Sequence, residues 1–314
     1  MLDLKRLRVL GEVARQSSFS AAAEALYLSQ SAVSQQVATL EREVGMPLLD
    51  RTRNGPKLNE AGKTLVGHAE AALSRLEEAE RELKAIAGLE GGELRIASFA
   101  SASATLLTEA LGEFAGRHPE VRLSVTEAEP EDSLPRLRAA ETDLAIVFDY
   151  PMLPQKGEER DVDQVLLLTE SMYLALPRSH PLAKADTVKL ADLADEPWMC
   201  GVCPSSCGDV VKETCRKAGF DPQIAFESDE YEVQQAYVAA GLGFTLLPDL
   251  ALPTLRSDLV VRPTNPDAPK RRVWAATRAE GARSAATEAM VEILRQVGER
   301  FDADAPIDDL AAAA

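Results

Sequence analysis

Several things are scarce in this chain. Aromatics make up 5% of its 314 residues, and there are only three histidines and four cysteines. His68, His118 and His180 are scattered and form no ligand set with the cysteines. No metal and no cofactor are therefore expected. Cys200, Cys203, Cys207 and Cys215 crowd into one segment, but no second pair at zinc spacing follows Cys200-x-x-Cys203. The thiols read as reduced and structural, with a redox role for the cluster as the alternative. There is no Gly-x-Ser-x-Gly and no Walker-type loop, and Gly241-x-Gly243 lacks the third glycine of a dinucleotide fingerprint. No catalytic residue is assigned, so an enzyme is disfavoured. Long apolar runs are missing too. Val233 to Pro248 comes nearest to a membrane span but carries two Gln and two Gly, and the N-terminus MLDLKRLRVL has no apolar signal core. A soluble protein of the cytoplasm, with no membrane contact, is expected.

What is present is uneven. The formal net charge is −17, yet residues 1–66 hold nine Lys or Arg against seven Asp or Glu, while the remainder holds 25 against 44. Such asymmetry points to different partners for different segments. Residues 1–45 carry almost no strand signal. Leu7, Leu10 and Val13 recur at helical spacing, and a Ser17-Ser18 break precedes a short Ala-rich helix with Ser20 as its N-cap. After Tyr27-Leu28-Ser29 a longer helix runs from about Gln30 to Val44 and stops at Gly45. Val33, Val37, Leu40 and Val44 form its buried stripe. Gln30, Ser31, Ser34 and Gln35 are left facing outward. Short helix, tight turn, helix is helix-turn-helix geometry. Asn54-Gly55 then marks a hairpin, and Arg51 and Arg53, two apart, are expected on one face of its first strand. A basic hairpin after such a helix reads as a wing.

Asn59 reads as the N-cap of a long helix. On it Leu65, Ala69, Ala72, Leu76, Ala79, Leu83 and Ile86 step by four and three in an unbroken heptad seam, which predicts a dimer. Gly88, Gly91 and Gly92 mark a linker. From Glu93 strands and helices alternate, and two successive α/β units with parallel sheets are expected. The acidic, Ala-rich segment 301–314 reads as a frayed tail.

The stretch SSFSAAAEALYLSQSAVSQQVATLEREVGMPLLDRTRNGPKLNEAG, from Ser17 to Gly62, resembles the winged helix-turn-helix signature of the LysR-type transcriptional regulators. The likeness continues through HPEVRL, DLAIVF and AAGLGFTLLP, so it covers nearly the whole chain. Ser31 stands where the family usually has Pro, Leu49 where it has Phe, Asn54 for a frequent Arg and Asn59 for Thr. The resemblance implies a fold of class α/β: a winged helix-turn-helix domain (1–59), a linker and dimerisation helix (60–91), and a two-lobed effector domain similar to periplasmic binding proteins (92–300). Lobe I would be about 92–162 with 265–300, and lobe II about 163–264. It also implies a homodimer or tetramer on promoter DNA, a small-molecule effector between the lobes, and RNA polymerase as a partner. A transporter's solute-binding protein would share the second fold but not the winged domain.

For DNA, Gln30, Ser31, Ser34 and Gln35 suit base edges in the major groove, Arg51 and Arg53 suit phosphates or a minor groove, and Ser20 offers a phosphate contact. For the effector, Phe99, Ser101 and Ser103 lie between a strand and a helix. Pro204, Ser205 and Ser206 open another helix, Asp149 follows a strand, and Asp229 begins the next helix. Helix starts favour an anion, whereas the aspartates favour a cation. An amino-acid-like ligand carrying both is the expectation.

Overall fold

The computed structural model describes residues 2–52, 55–86, 92–154, 161–279 and 283–303. The chain divides into two compact units, Met1–Leu89 and Glu90–Ala314. The first unit comprises α1 (Leu4–Gln16), α2 (Phe19–Ala25), α3 (Gln30–Val44), β1 (Leu49–Thr52), β2 (Gly55–Leu58) and α4 (Glu60–Ile86). Its core joins Leu7, Leu10 and Val13 of α1 to Ala22 and Ala23 of α2, and to Val33, Val37 and Leu40 of α3. Ser18, not Ser20, caps α2, accepting from the Ala21 amide, because the left-handed turn falls at Ser17. Ser20 is thus an exposed first-turn residue. Gly45 ends α3 in the left-handed conformation, where the missing Cβ avoids strain.

β1 and β2 pair antiparallel with Thr52 opposite Gly55. The connecting residues are therefore Arg53 and Asn54, not Asn54 and Gly55, and both lie outside the described residues, as does the side chain of Arg51. Asn59 caps α4 through its Oδ1, which accepts from the Gly62 amide at 2.9 Å, while its Nδ2 donates to the Pro47 carbonyl at 2.9 Å. Its amide replaces one cap hydroxyl with two tethers.

The second unit opens with β3 (Glu93–Ser98), α5 (Ala100–Ala102), one π-helical turn (Ser103–Leu107) and α6 (Thr108–Arg117). Hydroxyls widen that turn: Thr105 and Thr108 donate back to the carbonyls of Ser101 and Ser103, an alternative to the regular helical ladder. Then follow β4 (Arg122–Glu127), α7 (Pro130–Arg138), β5 (Leu144–Asp149), β6 (Val162–Pro177), β7 (Val188–Lys189), β8 (Pro197–Cys200), α8 (Ser206–Lys217) and β9 (Gln223–Glu227). The remaining elements are α9 (Tyr231–Ala239), β10 (Thr245–Pro248), β11 (Leu259–Arg262), β12 (Thr264–Asn265), β13 (Lys270–Arg278) and α10 (Ala285–Ala303).

The sheets are not purely parallel. β3, β4 and β5 are parallel, but β13 joins β5 antiparallel, and β6 joins β13 antiparallel. The reason is β6, a single 16-residue strand. Its first part pairs with β13 in lobe I, and from Met172 onward it pairs with β10 and β11 in lobe II. A strand that leaves for the second lobe and a strand that returns run in opposite directions. The changeover falls at Ser171–Met172, inside β6 and not at its start. The tail expected over 301–314 starts too early, since α10 continues to Ala303; the rest of it and most of the glycine linker lie outside the described residues.

Gly62 has no room for a side chain: a Cβ there would stand 2.2 Å from the Leu48 carbonyl oxygen and 2.8 Å from Leu58 Cδ2. Gly62→Ala should cost about 1–3 kcal/mol of N-terminal unit stability by overpacking. Urea unfolding of that unit measures it, and an unchanged midpoint would show that α4 and the hairpin do not interlock.

Candidate nucleic-acid interface and interlobe cleft

The face of α3 opposite its core stripe carries Gln30, Ser31, Ser34 and Gln35, all exposed. Ser29 caps the helix by accepting from the Ala32 amide, and its Oγ lies 3.0 Å from Ser31 Oγ. One further residue was not singled out by sequence. Tyr27, in the turn just before α3, has φ of 54° and is 97% exposed. A bulky side chain in that backbone region costs about 1–2 kcal/mol, yet it is held where nothing covers it. The signal was a large residue at a helix-helix turn where Gly or Asn is favoured.

The heptad stripe of α4 has two parts. Leu65 and Ala69 pack into the core of their own unit, because the first turns of α4 lie against α1 and the hairpin. Ala72 is exposed and Leu76 is 50% exposed. The side chains of Ala79, Leu83 and Ile86 lie outside the described residues. An intermolecular seam would therefore begin at Ala72.

In the second unit the centre of the cleft is a buried ion pair. Arg271 donates from Nε to Glu170 at 2.7 Å, from Nη2 to Ser101 Oγ at 2.9 Å and from Nη1 to the Tyr231 hydroxyl at 3.3 Å. Its guanidinium also lies over the rings of Phe99 and Phe148, 4.8 and 5.0 Å from their centroids, a favourable cation–π arrangement. Glu170 additionally accepts from the Leu250 amide at 2.8 Å. Burial works against ionisation of both groups. It pushes the Glu170 carboxyl up against the opposing pull of Arg271, while the neighbouring Glu170, Tyr231, Tyr150 and Cys207 outweigh burial at Arg271 and raise it. The pair stands where β6 changes lobes.

Around this centre the expected effector residues take different places. Phe99 and Ser101 are buried and engaged by Arg271, so they support the cleft from beneath. Ser103 lies in the π turn, and its hydroxyl is buried with no partner among the described residues. Asp149 does not face the cleft: it is the register partner of Arg272 and binds it through two hydrogen bonds of 2.7 Å. Strand alternation sends Arg271 and Tyr150 to the opposite face.

At the other helix start Ser205 is the N-cap of α8, accepting from Gly208 at 3.1 Å, and Pro204 is exposed. The amide and hydroxyl of Ser206 both donate to Glu131 of α7, each at 3.2 Å. A carboxylate of the other lobe thus occupies the anion position at this helix start. Asp229 accepts from the Val202 amide at 2.9 Å and lines a recess with Tyr150, Cys207, Tyr231, Gln234 and Thr245. Glu129, one residue before α7, completes an acidic rim that sequence reading did not identify. Desolvation, with Asp229 nearby, pushes its carboxyl up to about 7.

The four cysteines are free thiols. Burial pushes Cys200, Cys207 and Cys215 up to about 12, which holds them as thiols when peroxide reacts with thiolates. No helix among the described residues is long and apolar enough to cross a membrane.

Two family models match this arrangement: the bacterial regulatory helix-turn-helix protein of the lysR family over residues 4–63, and the LysR substrate binding domain over residues 87–299. The chain belongs to the LysR family, and it is a DNA-binding transcriptional regulator with an effector-binding domain. Among relatives, it is 30% identical to the HTH-type transcriptional regulator YfeR of Shigella flexneri, over 98% of each chain. It is 31% identical to a probable regulator of Synechococcus elongatus, LrrA, over 94% of this chain and 97% of that one. Its fold is similar to that of full-length CbnR, a LysR family transcriptional regulator (TM-score 0.69, 23% identity, 95% of this chain and 99% of that one). It is likewise similar to CbnR complexed with the target DNA (TM-score 0.68, 23% identity, 94% of this chain and 100% of that one).

The displaced acidity of Glu129 gives a signed pH dependence. Its folded value lies above its ordinary one, so its contribution to stability is complete below about pH 4.5 and is lost as the pH rises through about 7. That loss amounts to about 3 kcal/mol at most. Glu129→Gln, which stays neutral, should flatten this part of the profile in thermal denaturation of the full chain. A variant that loses stability as steeply as the parent would show that the carboxyl is solvated.

Proposed function

We propose that this regulator reads promoter DNA as a homodimer or tetramer, with α3 in the major groove and the wing on the backbone. Gln30, Ser31, Ser34 and Gln35 are the base-reading candidates, with Arg51 and Arg53 on phosphates and Ser20 and Tyr27 beside them. The supporting observation is the four-residue polar face of α3, exposed along the side opposite Val33, Val37 and Leu40. Dimerisation runs along α4 from Ala72 and Leu76 through Ala79, Leu83 and Ile86, while Leu65 and Ala69 anchor the helix to its own domain. The protein acts in the cytoplasm, without catalysis, on DNA and through RNA polymerase.

The effector is a small molecule carrying an ammonium and a carboxylate, of the amino-acid kind. Its ammonium meets Glu129 and Asp229, and its carboxylate exchanges with Glu131 at the Ser206 amide and hydroxyl. The reading is supported by Glu131 itself, an internal carboxylate bridging the two lobes at that helix start. A ligand that replaces the bridge changes how the lobes are held, and so shifts DNA affinity by favouring one arrangement.

Two outcomes follow. Gln30→Ala and Gln35→Ala should each cost about 1–3 kcal/mol on the cognate site alone. Arg51→Ala should weaken cognate and random DNA alike and make the salt dependence shallower by about one counterion per protomer. Binding isotherms on both DNAs at several salt concentrations decide this, and equal losses from all three substitutions would remove α3 from base reading. In calorimetry on the full chain, amino acids should bind more tightly than dicarboxylates, and Ser206→Ala should weaken them. Tight binding of an uncharged ligand, indifferent to Ser206, would contradict the effector class.

A further inference from the structure

Spacing along the chain gives Cys200-x-x-Cys203 no second pair, but the fold brings it a third donor. Cys200 ends β8, Glu227 ends β9, and the two are register partners in a parallel pair. The two Sγ atoms and a Glu227 carboxylate oxygen all lie within 4.8 Å of one another. Cys203 is held in place by the first turn of α8: a Cβ on Gly208 would stand 2.5 Å from its Sγ. From further along the same helix, Lys212 donates from Nζ to Cys203 Sγ at 2.8 Å.

We propose that Cys200, Cys203 and Glu227 form a binding site for a thiophilic divalent ion of the zinc class. Two thiolates and a carboxylate are the donors such an ion prefers, in tetrahedral array with the fourth position left to water. Zinc–sulfur bonds of about 2.3 Å require sulfurs about 3.8 Å apart, compatible with three donors that all lie within 4.8 Å of one another. Two thiolates and a carboxylate exceed the charge of the ion by one, and the Lys212 ammonium offsets that excess. Binding releases the thiol protons to solvent and transfers no electrons. Cys200 is buried and Glu227 exposed, so the ion enters from the Glu227 side. The loop it fixes leads from Cys203 to Ser206, whose amide and hydroxyl hold Glu131 of the other lobe. The site is independent of the effector reading and stands or falls without it.

The test is cobalt(II) titration of the full-length chain, reduced and under anaerobic conditions. A single equivalent should produce thiolate-to-cobalt charge-transfer bands in the near ultraviolet and the ligand-field bands of tetrahedral cobalt, and zinc should abolish both. Cys203→Ser should remove one thiolate's share of the charge-transfer intensity. Glu227→Gln, at an exposed position that does not threaten folding, should weaken binding at least about tenfold. Cys215→Ser, outside the site, should change neither. Absence of the bands at excess cobalt would overturn the assignment, as would bands unaltered by Cys203→Ser and Glu227→Gln. So would a reduced protein that binds no metal but forms a Cys200–Cys203 disulfide with peroxide, which would make the pair a redox couple.

Discussion

The effector unit is organised around one buried cation. Arg271 is 1% exposed, and its donors are shared among Glu170 on β6, Ser101 on α5 and Tyr231 on α9. Taking a guanidinium and a carboxylate out of water costs several kcal/mol for each, and their attraction repays this only when every donor and acceptor is matched. The matching partners come from both lobes and meet where β6 passes between them. The pair therefore gives geometry more than stability: it sets the floor of the cleft and fixes Tyr231 beside the acidic rim. Phe99 and Phe148, stacked edge to face 4.8 Å apart, close its lower side.

The cleft is also self-occupied at one end. A helix start with free amides attracts an anion, and α7 supplies one in Glu131. Glu129 is desolvated beside Asp229, and burial first and that neighbouring carboxylate second make it resist ionisation against the opposing pull of Arg271. The acidic excess of the chain is thus not only a solvated surface property, and the average of −17 conceals both the acidic rim here and the near balance of the DNA-binding segment.

Legibility in the sequence followed the range of the interactions. The DNA-binding unit is built from local signals. The stripe of Val33, Val37 and Leu40, the stop at Gly45 and the cap at Asn59 were all readable because a helix face and its ends are written within a few residues. Even there the cap read at Ser20 falls two residues earlier, at Ser18, because the left-handed backbone lies at Ser17. The effector unit depends on long-range pairing. Nothing near Arg271 in the run KRRV separates it from its neighbours; only the register of β13 sends it inward and Arg272 outward with Asp149. The same holds for Glu227, distant in sequence from Cys200 and adjacent through β8–β9 pairing, and for Glu131, which meets Ser206 across the cleft. The purely parallel reading failed because a strand serving two lobes looks, residue by residue, like any other strand.

In the proposed function, cleft and DNA face report to each other through the arrangement of the lobes. Coupling between two binding sites is reciprocal by thermodynamic necessity. The affinity of the full chain for an amino-acid effector should be measured by calorimetry with and without a saturating operator fragment. The account predicts two different affinities, whose ratio equals the factor by which the effector changes operator binding. Identical effector affinities in the two titrations would mean that the cleft does not communicate with the DNA-binding unit.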